Sequence, residues 1–530
     1  MRKKVKNTQR FYVFENDKNH YCFDSINHKI FLTNDFLSSL IKNNNVETIR
    51  KKYTDFYKKV IRKRPKRIIP PQVSECNVTI NPSNNCNLNC KYCYRDKNLK
   101  AKLSNEDLEK IISYVKKCYY PKANQYNFSL SYTSESSLDL KVLRYFDYLI
   151  GENEGYLFSK NEISKKNLWR LFQKLPLEIR SKYDCKKISI DTINEILKKE
   201  HLWEVYDWRK ESYLKTVLYE GIDLSVSRKI MVNRIILNLF FPEFKLERPI
   251  QYCSLSFMTN GTYITDEYVD FVKSILLDTI YVSLDGPEEI HNTYRRDNSE
   301  GTYKRVLEGI DKLRKSKIKI IPSVVITPEY PDLEKIVTYL CSQGFTEICF
   351  NLVRGTLQFS KDSIDKLLNS IRNLFERFFK DCTKGIYSVE FEALKNSMLF
   401  TPLKSLYFGD RFISRCTWGK DLIIDPKGNM YHCNSTIDNR KDFLGHYSQG
   451  RKRERFMRIP SINDNKVCSL CVFKYLCGGT CYADIINNNT ANVEMECYFK
   501  KELIKENMRL YANLYQKNLL KDFINNLEKK

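Results

Sequence analysis

Apolar and polar positions follow two different spacings along most of the chain. Apolar residues at every second position predict short strands, near residues 128–132, 254–258, 279–284, 318–326 and 346–352. Apolar residues three and four positions apart predict helices, over residues 108–115, 142–150, 306–313 and 333–340. Ser104 and Asp107 resemble a capping box at the start of the first helix. Strands that alternate with helices predict a parallel sheet with helices outside it.

Residues 151–247 interrupt this alternation between the second strand–helix unit and the next strand. A connection in such a fold is usually a few residues long, so a segment of this length is an insertion. Helical spacing over 192–199 and 226–239 predicts that the insertion is a helical subdomain. It either packs against the rest of the fold or shapes access for a large substrate.

The first 70 residues show a third pattern. Apolar runs at 11–14, 21–23 and 29–32, joined by polar turns, predict three short strands, and residues 36–41 predict the start of a helix.

Composition fits a large enzyme of the cytoplasm. The 530 residues are enough for roughly two to four domains. The basic start of the chain is followed by no apolar signal core, and the apolar run 235–241 is too short to span a bilayer. The 18 cysteines are therefore expected in a reducing compartment, where clustered thiols indicate metal ligands.

The charge of the chain leaves the partner open. A formal charge of +25, from 89 Lys and Arg against 64 Asp and Glu, admits nucleic acid, an anionic membrane or an acidic peptide. The basic residues are scattered, with the densest stretch at 51–67. A chain rich in Lys, Asn, Ile and Tyr can equally owe this charge to genomic base composition.

Cysteine spacing carries the strongest chemical signal. Cys86, Cys90 and Cys93 form a Cys-x3-Cys-x2-Cys loop, which is one thiolate short of a closed tetrahedral zinc site. Three cysteines suit an iron–sulfur cluster whose fourth iron stays open to a ligand. The alternative is half of a zinc knuckle that is completed from elsewhere in the chain.

With Tyr92 before its last cysteine, this loop resembles the signature of the radical S-adenosylmethionine (radical SAM) superfamily. The resemblance implies a catalytic [4Fe-4S] cluster on the three cysteines, whose open iron chelates S-adenosylmethionine. An electron from the cluster splits that cofactor into methionine and a 5′-deoxyadenosyl radical. The resemblance also implies an α/β fold, a partial (β/α)6 barrel with the cluster at the C-terminal mouth of the strands, and an electron donor such as flavodoxin or ferredoxin.

The segment 133–136, Thr-Ser-Glu-Ser, stands where the family usually has Gly-Gly-Glu-Pro, the stretch that receives the methionine amino group. Only the glutamate is shared. Because a carboxylate accepts hydrogen bonds from an ammonium group, the resemblance implies that Glu135 contacts the cofactor.

Two later segments match the family more fully, Thr-Asn-Gly-Thr at 259–262 and Ser-Leu-Asp-Gly-Pro at 283–287. By resemblance, Asn260, Ser283 and Asp285 bind the cofactor, with Ser283 at a strand end and Asp285 before the Gly-Pro turn. Taken alone, both segments are merely turns. Their order and spacing after the cysteine loop favour the functional interpretation.

Further cysteines lie near the C-terminus, as Cys416-x11-Gly428-x4-Cys433, Cys468-x2-Cys471-x5-Cys477-x3-Cys481 and Cys497. Their spacing is similar to that of the SPASM domain, which binds two auxiliary [4Fe-4S] clusters in radical SAM peptide-modifying enzymes, so three clusters are expected in all. A zinc ribbon would account for only four of these cysteines. By resemblance, one auxiliary cluster is held by Cys416, Cys433 and Cys481, and the other by Cys468, Cys471, Cys477 and Cys497.

Two four-iron clusters need eight ligands for full ligation, one more than this motif supplies. In fully ligated relatives the missing cysteine lies six residues before the one that matches Cys416, where this chain has Asp410. Asp410 completes the site, or the site stays open to a substrate thiolate, or Asp410 simply caps a loop.

The N-terminal pattern resembles the small winged-helix element of maturases that act on ribosomally made peptides. There a leader peptide adds as an extra strand at the sheet edge. The alternative is a packing appendage. These resemblances divide the chain into a winged-helix-like precursor-recognition domain (1–70), a radical SAM barrel (71–360, with the helical insertion 151–247), a helical bridge (361–400), a SPASM domain (401–500) and a C-terminal helix (501–530).

Together the resemblances imply an oxygen-sensitive enzyme that modifies a precursor peptide, foremost by a cysteine thioether crosslink. The main alternative is sulfatase maturation, the oxidation of a cysteine or serine, in which an aspartate acts as a base directly after the cysteine that matches Cys433. Here that residue is Asn434, which accepts no proton at neutral pH. The six histidines are scattered and indicate no acid–base constellation. From a different class, a metal-stapled nucleic-acid-binding protein is the alternative, although neither nucleic acid nor a membrane is the expected partner.

Overall fold

The computed structural model describes residues 10–26, 28–56, 58, 75–93, 101–116, 125–130, 135–152, 165–206, 224–241, 252–275, 277, 279–298, 300–316, 318–355, 357–412, 414, 421–451, 462 and 466–529. Among these residues, no helix has both the length and the apolar composition that crossing a bilayer requires.

The N-terminal residues form a small antiparallel sheet, β1 (Phe11–Asn16), β2 (Asn19–Asp24) and β3 (Lys29–Thr33), with β2 in the middle. The three predicted strands are thus confirmed. Asn34 then accepts a hydrogen bond from the backbone N–H of Leu37 and starts a helix. The helices that follow the sheet are Asp35–Lys42, Val46–Lys52 and Thr54–Phe56. That this unit is a winged-helix domain stays a prediction.

Parallel strands in chain order form the centre of the molecule, which confirms the predicted α/β sheet. They are β4 (Glu75–Ile80), β5 (Gln125–Leu130), β6 (Tyr252–Thr259), β7 (Thr279–Ser283) and, after a separate short pair β8 (Arg296–Asp297) and β9 (Glu300–Gly301), β10 (Lys319–Ile326) and β11 (Cys349–Leu352). Their limits differ by a few residues from those predicted, and the last strand begins only at Cys349.

Strands from the C-terminal part of the chain extend this sheet beyond β4. β4 pairs in parallel with β12 (Asp421–Ile424), and β13 (Asn429–Tyr431), β14 (Gly445–His446) and β15 (Gly450–Arg451) continue the sheet with antiparallel pairing. Because β12 is the second neighbour of β4, the six parallel strands do not close on themselves, as expected of a partial barrel.

Helices follow the strands as their apolar spacing predicts. The predicted capping box is present, since the Ser104 hydroxyl accepts from the backbone N–H of Asp107 and the Asp107 carboxylate accepts from that of Ser104. Leu108, Ile111 and Ile112 of this helix are fully buried. The helices on the sheet are Asn105–Tyr114, Leu140–Glu152, Asp266–Ser274, Glu288–Tyr294, Tyr303–Arg314 and Leu333–Ser342.

The described part of the insertion is mostly helical, as predicted, and packs through helix Val226–Phe240. That helix, Val226–Phe240, contacts both Ile190–Lys199 of the insertion and Leu140–Glu152 of the barrel, where Arg228 and Asp147 form a buried ion pair. The packing role of the insertion therefore has direct structural support, and a role in substrate access stays a prediction. The other helices of the insertion are Lys165–Lys174, Leu177–Arg180 and Leu202–Val205.

The described residues of the C-terminal third are mostly helical. The predicted helix 501–530 differs from the structure, because a long helix begins at Thr490 and the chain turns at Asn518, whose φ of 57° lies in the left-handed region, before a separate last helix. The long helix packs against Lys361–Cys382. The helices of this part are Lys361–Cys382, Val389–Leu394, Thr401–Phe408, Lys466–Leu470, Lys474–Cys477, Tyr482–Ile486, Thr490–Gln516 and Leu520–Glu528.

Candidate active site

The loop of Cys86, Cys90 and Cys93 follows directly after β4, at the C-terminal edge of the parallel sheet. Its backbone is fixed to the end of helix Glu288–Tyr294 and to β8, since the N–H groups of Asn89 and Lys91 donate to the carbonyls of Arg296 (2.7 Å) and Tyr294 (2.9 Å). The cysteine loop is thus held by backbone hydrogen bonds to a segment about 200 residues further along the chain.

The three thiols of this loop share one environment. Burial raises the pKa of the Cys90 thiol, the thiols of Cys93 and Cys86 act in the same direction, and the Arg295 guanidinium opposes them. Among the described residues, no three His, Cys, Asp or Glu side chains surround a single metal ion position. Cluster ligands lie farther apart than the ligands of one ion, because each thiolate binds a different iron. Three thiols near a guanidinium therefore fit a cluster with one open iron.

A buried ionic contact between Asp285 and Arg295 supports the cysteine loop. The Asp285 carboxylate accepts from the Tyr92 hydroxyl, from Nε of Arg295 at 2.9 Å and from the backbone N–H of Val325 at 3.0 Å. Burial raises the pKa of Tyr92 well above its usual value, so its hydroxyl keeps the proton that it donates. Protein donors engage both carboxylate oxygens of Asp285, so this side chain positions the cysteine loop. Cofactor contact by Asp285 stays a prediction.

A second buried carboxylate, Glu135, joins the loop to the segment after β6. It accepts from the Thr259 hydroxyl at 2.5 Å, the backbone N–H of Asn260 at 2.6 Å and the Ser137 hydroxyl at 2.8 Å, and its own N–H donates to the Asn85 carbonyl at 2.8 Å. Burial raises the pKa of Glu135, and these hydrogen bonds oppose that rise. Its contact with the methionine ammonium stays a prediction. Residues 133 and 134 of the same motif lie outside the described residues.

Asn260 is a predicted cofactor residue whose side chain lies beside the cysteine loop. Its Nδ2 is 3.9 Å from Sγ of Cys86 and donates to Oδ1 of Asn87 at 2.8 Å. Gly261 then turns the chain with φ +75°, and a Cβ there would lie 2.9 Å from a methyl group of Val282. The Asn-Gly pair is therefore required by packing as well as by its contact with the loop.

Ser283 is placed at the same edge, as the last residue of β7. It is buried and lies opposite Ser323 of β10 in the parallel register. The structure therefore brings the loop cysteines, Glu135, Asn260, Ser283 and Asp285 to one edge of the sheet, the C-terminal edge.

A second thiol site lies in the C-terminal part. Burial raises the pKa of Cys468 to about 11, and the thiols of Cys477, Cys497 and Cys471 act in the same direction. Burial also raises the pKa of Cys477, and the thiols of Cys497 and Cys471 act in the same direction. These four residues, which we call the four-thiol site, are the set that the sequence predicts for one auxiliary cluster. Four thiols fit a fully ligated cubane.

The other predicted set is only partly described. Cys416 lies outside the described residues, whereas Cys433 and Cys481 lie within them. Asp410 is exposed just beyond the end of helix Thr401–Phe408, and its N–H donates to the Ser405 carbonyl at 3.1 Å. The role of Asp410 as a ligand stays a prediction.

Sequence reasoning missed the ionic network at Cys481. Arg354, two residues after β11, pairs with Asp484 at 2.7 Å and Glu496 at 3.2 Å, and Glu496 accepts from the backbone N–H of Cys481 at 2.8 Å. Burial raises the pKa of the Cys481 thiol to about 12, against the Arg354 cation. Arg354 and Glu496 are 142 residues apart, so no local spacing could have indicated their contact.

A buried His–Asp pair was also missed. His432 Nδ1 lies 2.7 Å from Asp442 Oδ1 and both side chains are buried, directly before Cys433. The expectation that no acid–base constellation exists is therefore incomplete. Next to it, Asn434 accepts from the Asn81 side chain at 3.2 Å, which ties the Cys433 segment to the residue that follows β4.

Comparison with known proteins gives a consistent result. The sequence profile described as the radical SAM superfamily matches residues 231–340. A cysteine-type anaerobic sulfatase-maturating enzyme of Clostridium novyi is 25% identical over 276 residues, which cover 47% of this chain and 71% of that protein. A serine-type anaerobic sulfatase-maturating enzyme of Bacteroides thetaiotaomicron is 33% identical over 258 residues, which cover 42% of this chain and 59% of that protein.

Among solved structures, native anSMEcpe with bound AdoMet and Kp18Cys peptide superposes with a TM-score of 0.52 and 16% identity, covering 86% of this chain and 100% of that one. Native anSMEcpe with bound AdoMet gives a TM-score of 0.51 at 16% identity. At this identity the likeness shows the fold.

Proposed function

We propose that the chain is a radical SAM enzyme that uses S-adenosylmethionine to modify a peptide or protein, since residues 231–340 match the profile of that superfamily. The observation that carries the proposal is the loop of Cys86, Cys90 and Cys93 at the C-terminal edge of a parallel sheet, in contact with Asn260. Cys86, Cys90 and Cys93 would hold a [4Fe-4S] cluster, which together with S-adenosylmethionine would supply the chemistry of radical hydrogen-atom abstraction.

The described residues around this loop have positioning roles. Arg295 places a cation beside the Cys90 thiol and pairs with the Asp285 carboxylate, which also fixes Tyr92. Glu135 fixes the backbone of Asn260, so the side chain of Asn260 stays beside Cys86. Buried hydrogen-bonded groups of this kind hold a site in one geometry. We propose cofactor contact for Asn260, Ser283, Glu135 and Asp285, and the two carboxylates also support the loop.

The substrate class that we propose is a gene-encoded peptide with a leader. Support comes from the solved anSMEcpe structure that holds the Kp18Cys peptide, and from the N-terminal sheet of this chain. β3 has no strand partner on its outer side among the described residues, and Leu32 on it is 62% exposed. A peptide can add to such an edge through backbone hydrogen bonds.

For the reaction itself we propose a thioether crosslink from a substrate cysteine. The C–S bond replaces one C–H and one S–H bond, so the substrate loses two hydrogens: one as an atom to the radical, the other as a proton and an electron. The four-thiol site and the Cys416, Cys433 and Cys481 set are proposed to hold two further [4Fe-4S] clusters, which would supply an electron acceptor. We place the enzyme in the cytoplasm, with flavodoxin or ferredoxin as the electron donor.

Oxidation of a cysteine or serine, as in sulfatase maturation, is the second candidate. The two relatives named above favour it. Asn434 argues against it, because an amide that accepts a hydrogen bond from Asn81 is no base. A metal-stapled nucleic-acid-binding protein is the candidate from another class. Anaerobically purified protein that is colourless and holds zinc would favour that class.

Product analysis separates the two enzymatic reactions. The purified protein is incubated anaerobically with S-adenosylmethionine, a reductant and cysteine-containing peptides encoded beside its gene. We expect a product that keeps its sulfur, has lost two hydrogens and resists thiol alkylation. A product that carries an aldehyde at the former cysteine or serine would establish sulfatase-type oxidation, and no modification of any candidate peptide together with no 5′-deoxyadenosine would contradict both.

A further inference from the structure

The N-terminal sheet does not stand apart from the rest of the protein. One of its faces packs against the segment between Cys471 and Cys477, two members of the four-thiol site. The side chains that form this cluster come from the sheet, from that segment and from two helices: Tyr12, Phe14, Phe23, Ile30, Leu406, Val472, Phe473, Leu476, Ile504 and Met508.

Phe473 is at the centre of the contact. Its ring meets the ring of Tyr12 edge-on, with 4.9 Å between the centroids, and stacks on Phe23 with 6.3 Å between the centroids. Phe23 and Phe473 are both buried. Aromatic pairs of this geometry each contribute beyond the area that they bury.

The same segment is held from other directions. His28 of the N-terminal unit lies with its ring centroid 6.2 Å from that of Tyr475, and the Arg411 guanidinium lies 4.1 Å from the Tyr475 centroid. The Phe412 N–H donates to the Tyr475 carbonyl at 2.9 Å. Residues 472–476 therefore pack on one side against the N-terminal unit.

We propose that the N-terminal sheet is a structural part of the four-thiol site, in which Tyr12 and Phe23 hold Phe473 and so keep Cys471 and Cys477 in the positions that a cluster needs. This inference rests on the auxiliary cluster of the proposed function. A cluster loses iron when a segment that carries its ligands opens locally, and apolar packing of that segment makes such opening rarer. The sheet thus serves the auxiliary site whether or not a peptide is bound to its edge.

The consequence concerns truncation. Removing residues 1–64 would take away both the proposed peptide edge and the aromatic support of the four-thiol site. Loss of peptide modification in such a truncated protein would therefore have two causes, and single substitutions are needed to separate them.

The test uses the full chain with Cys86, Cys90 and Cys93 replaced by alanine, so that iron is bound only in the C-terminal part. Tyr12→Ala and Phe473→Ala are compared with this parent, and Leu32→Ala, an exposed change in the same sheet, is the matched control. The readouts are iron per chain and the anaerobic rate of iron release to a chelator. Tyr12→Leu keeps apolar volume without the ring and serves where the alanine variant does not fold.

We expect about four irons to leave about tenfold faster in Tyr12→Ala and Phe473→Ala, and at the parent rate in Leu32→Ala. Parent-like release in both aromatic variants, while Cys468→Ala in the same background loses about four irons, would overturn this inference alone. If Cys468→Ala also keeps all its iron, the auxiliary cluster of the proposed function is wrong and the inference falls with it.

Discussion

The two thiol sites of this chain are held in different ways. The loop of Cys86, Cys90 and Cys93 rests on buried polar contacts, above all Asp285 with Arg295 and Tyr92. The segment between Cys471 and Cys477 rests on aromatic packing, with Phe473 against the N-terminal sheet. Removing one partner of a buried ion pair destabilises a fold strongly, because the remaining charge is left unpaired. Loss of apolar packing lowers stability in proportion to the apolar area that is lost. The proposed catalytic site should therefore respond to single charge changes, and the four-thiol site to changes of ring size.

The largest expected effect is on cofactor cleavage. Replacing Cys86, Cys90 and Cys93 together by alanine should abolish formation of 5′-deoxyadenosine, because no other three-thiol loop lies at the C-terminal edge of the parallel sheet within the described residues. The measurement is 5′-deoxyadenosine released under anaerobic reducing conditions, with the parent protein as the control. Continued release by the triple variant would refute the site.

The next effect is on stability. Asp285→Asn should lower the free energy of unfolding by about 3–5 kcal/mol, because Arg295 would keep a buried charge without its partner. Asp297→Asn is the matched control, since Asp297 pairs with Arg305 in a partly exposed ion pair and should change stability by about 1 kcal/mol or less. Denaturant unfolding of both variants is the measurement. Equal and small shifts would show that the Asp285 contact does not hold the fold.

Acid should lower the free energy of unfolding through protonation of His291. Burial lowers the pKa of His291 from 6.5 to about 4, so between these values the unfolded chain binds the proton and the folded chain does not. Its contribution is complete above about pH 6.5 and is lost as the pH falls towards 4, about 2 kcal/mol of it by pH 5. In His291→Gln, the free energy of unfolding should depend less on pH between pH 7 and pH 5. Denaturant unfolding at several pH values in this range is the measurement. Glu496, whose pKa is lowered to about 2, changes stability with pH only below about pH 4.5, so it does not contribute in this range. If the free energy of unfolding of His291→Gln falls with pH as steeply as that of the parent, another group causes the acid effect.

A smaller effect is expected at the edge of the N-terminal sheet. Leu32→Asp should weaken binding of a leader-containing precursor about tenfold, because a charge would replace an apolar contact beside the added strand. Cleavage of S-adenosylmethionine without peptide should not change. Leu177→Asp, at an exposed leucine of the insertion, is the control, and equal affinities for the two variants by titration would remove the docking proposal.

The smallest effect is expected at Asp410. If the first auxiliary cluster is open to a substrate thiolate, Asp410→Ala should leave its spectrum unchanged without peptide, and a cysteine-containing peptide should shift the spectrum of both proteins. The exposed position of Asp410 after a helix end is consistent with this expectation. A spectrum that changes on mutation alone would make Asp410 a ligand, and one that is insensitive to peptide in the parent would exclude sulfur docking at this cluster.

Local signals in the sequence predicted much of this structure. The capping box at Ser104 and the alternation of strands and helices follow from local sequence patterns, and the spacing of the cysteines nominated their loop as the candidate site. The supports of both sites were not predictable in this way. Tyr92 meets Asp285 across 193 residues, and Phe473 meets Tyr12 from the other end of the chain. Such contacts depend on how the elements pack, which no local pattern encodes.

The comparison of the two sites is tested most directly by where iron is lost. The measurement is iron per chain and the electron paramagnetic resonance spectrum of three anaerobic proteins: the parent, the triple alanine variant of Cys86, Cys90 and Cys93, and Cys468→Ala. The account predicts about twelve irons in the parent and about eight in each variant, with a different cluster signal missing from each. Zinc in place of iron, or the loss of every cluster signal from either variant, would contradict two independently held sites.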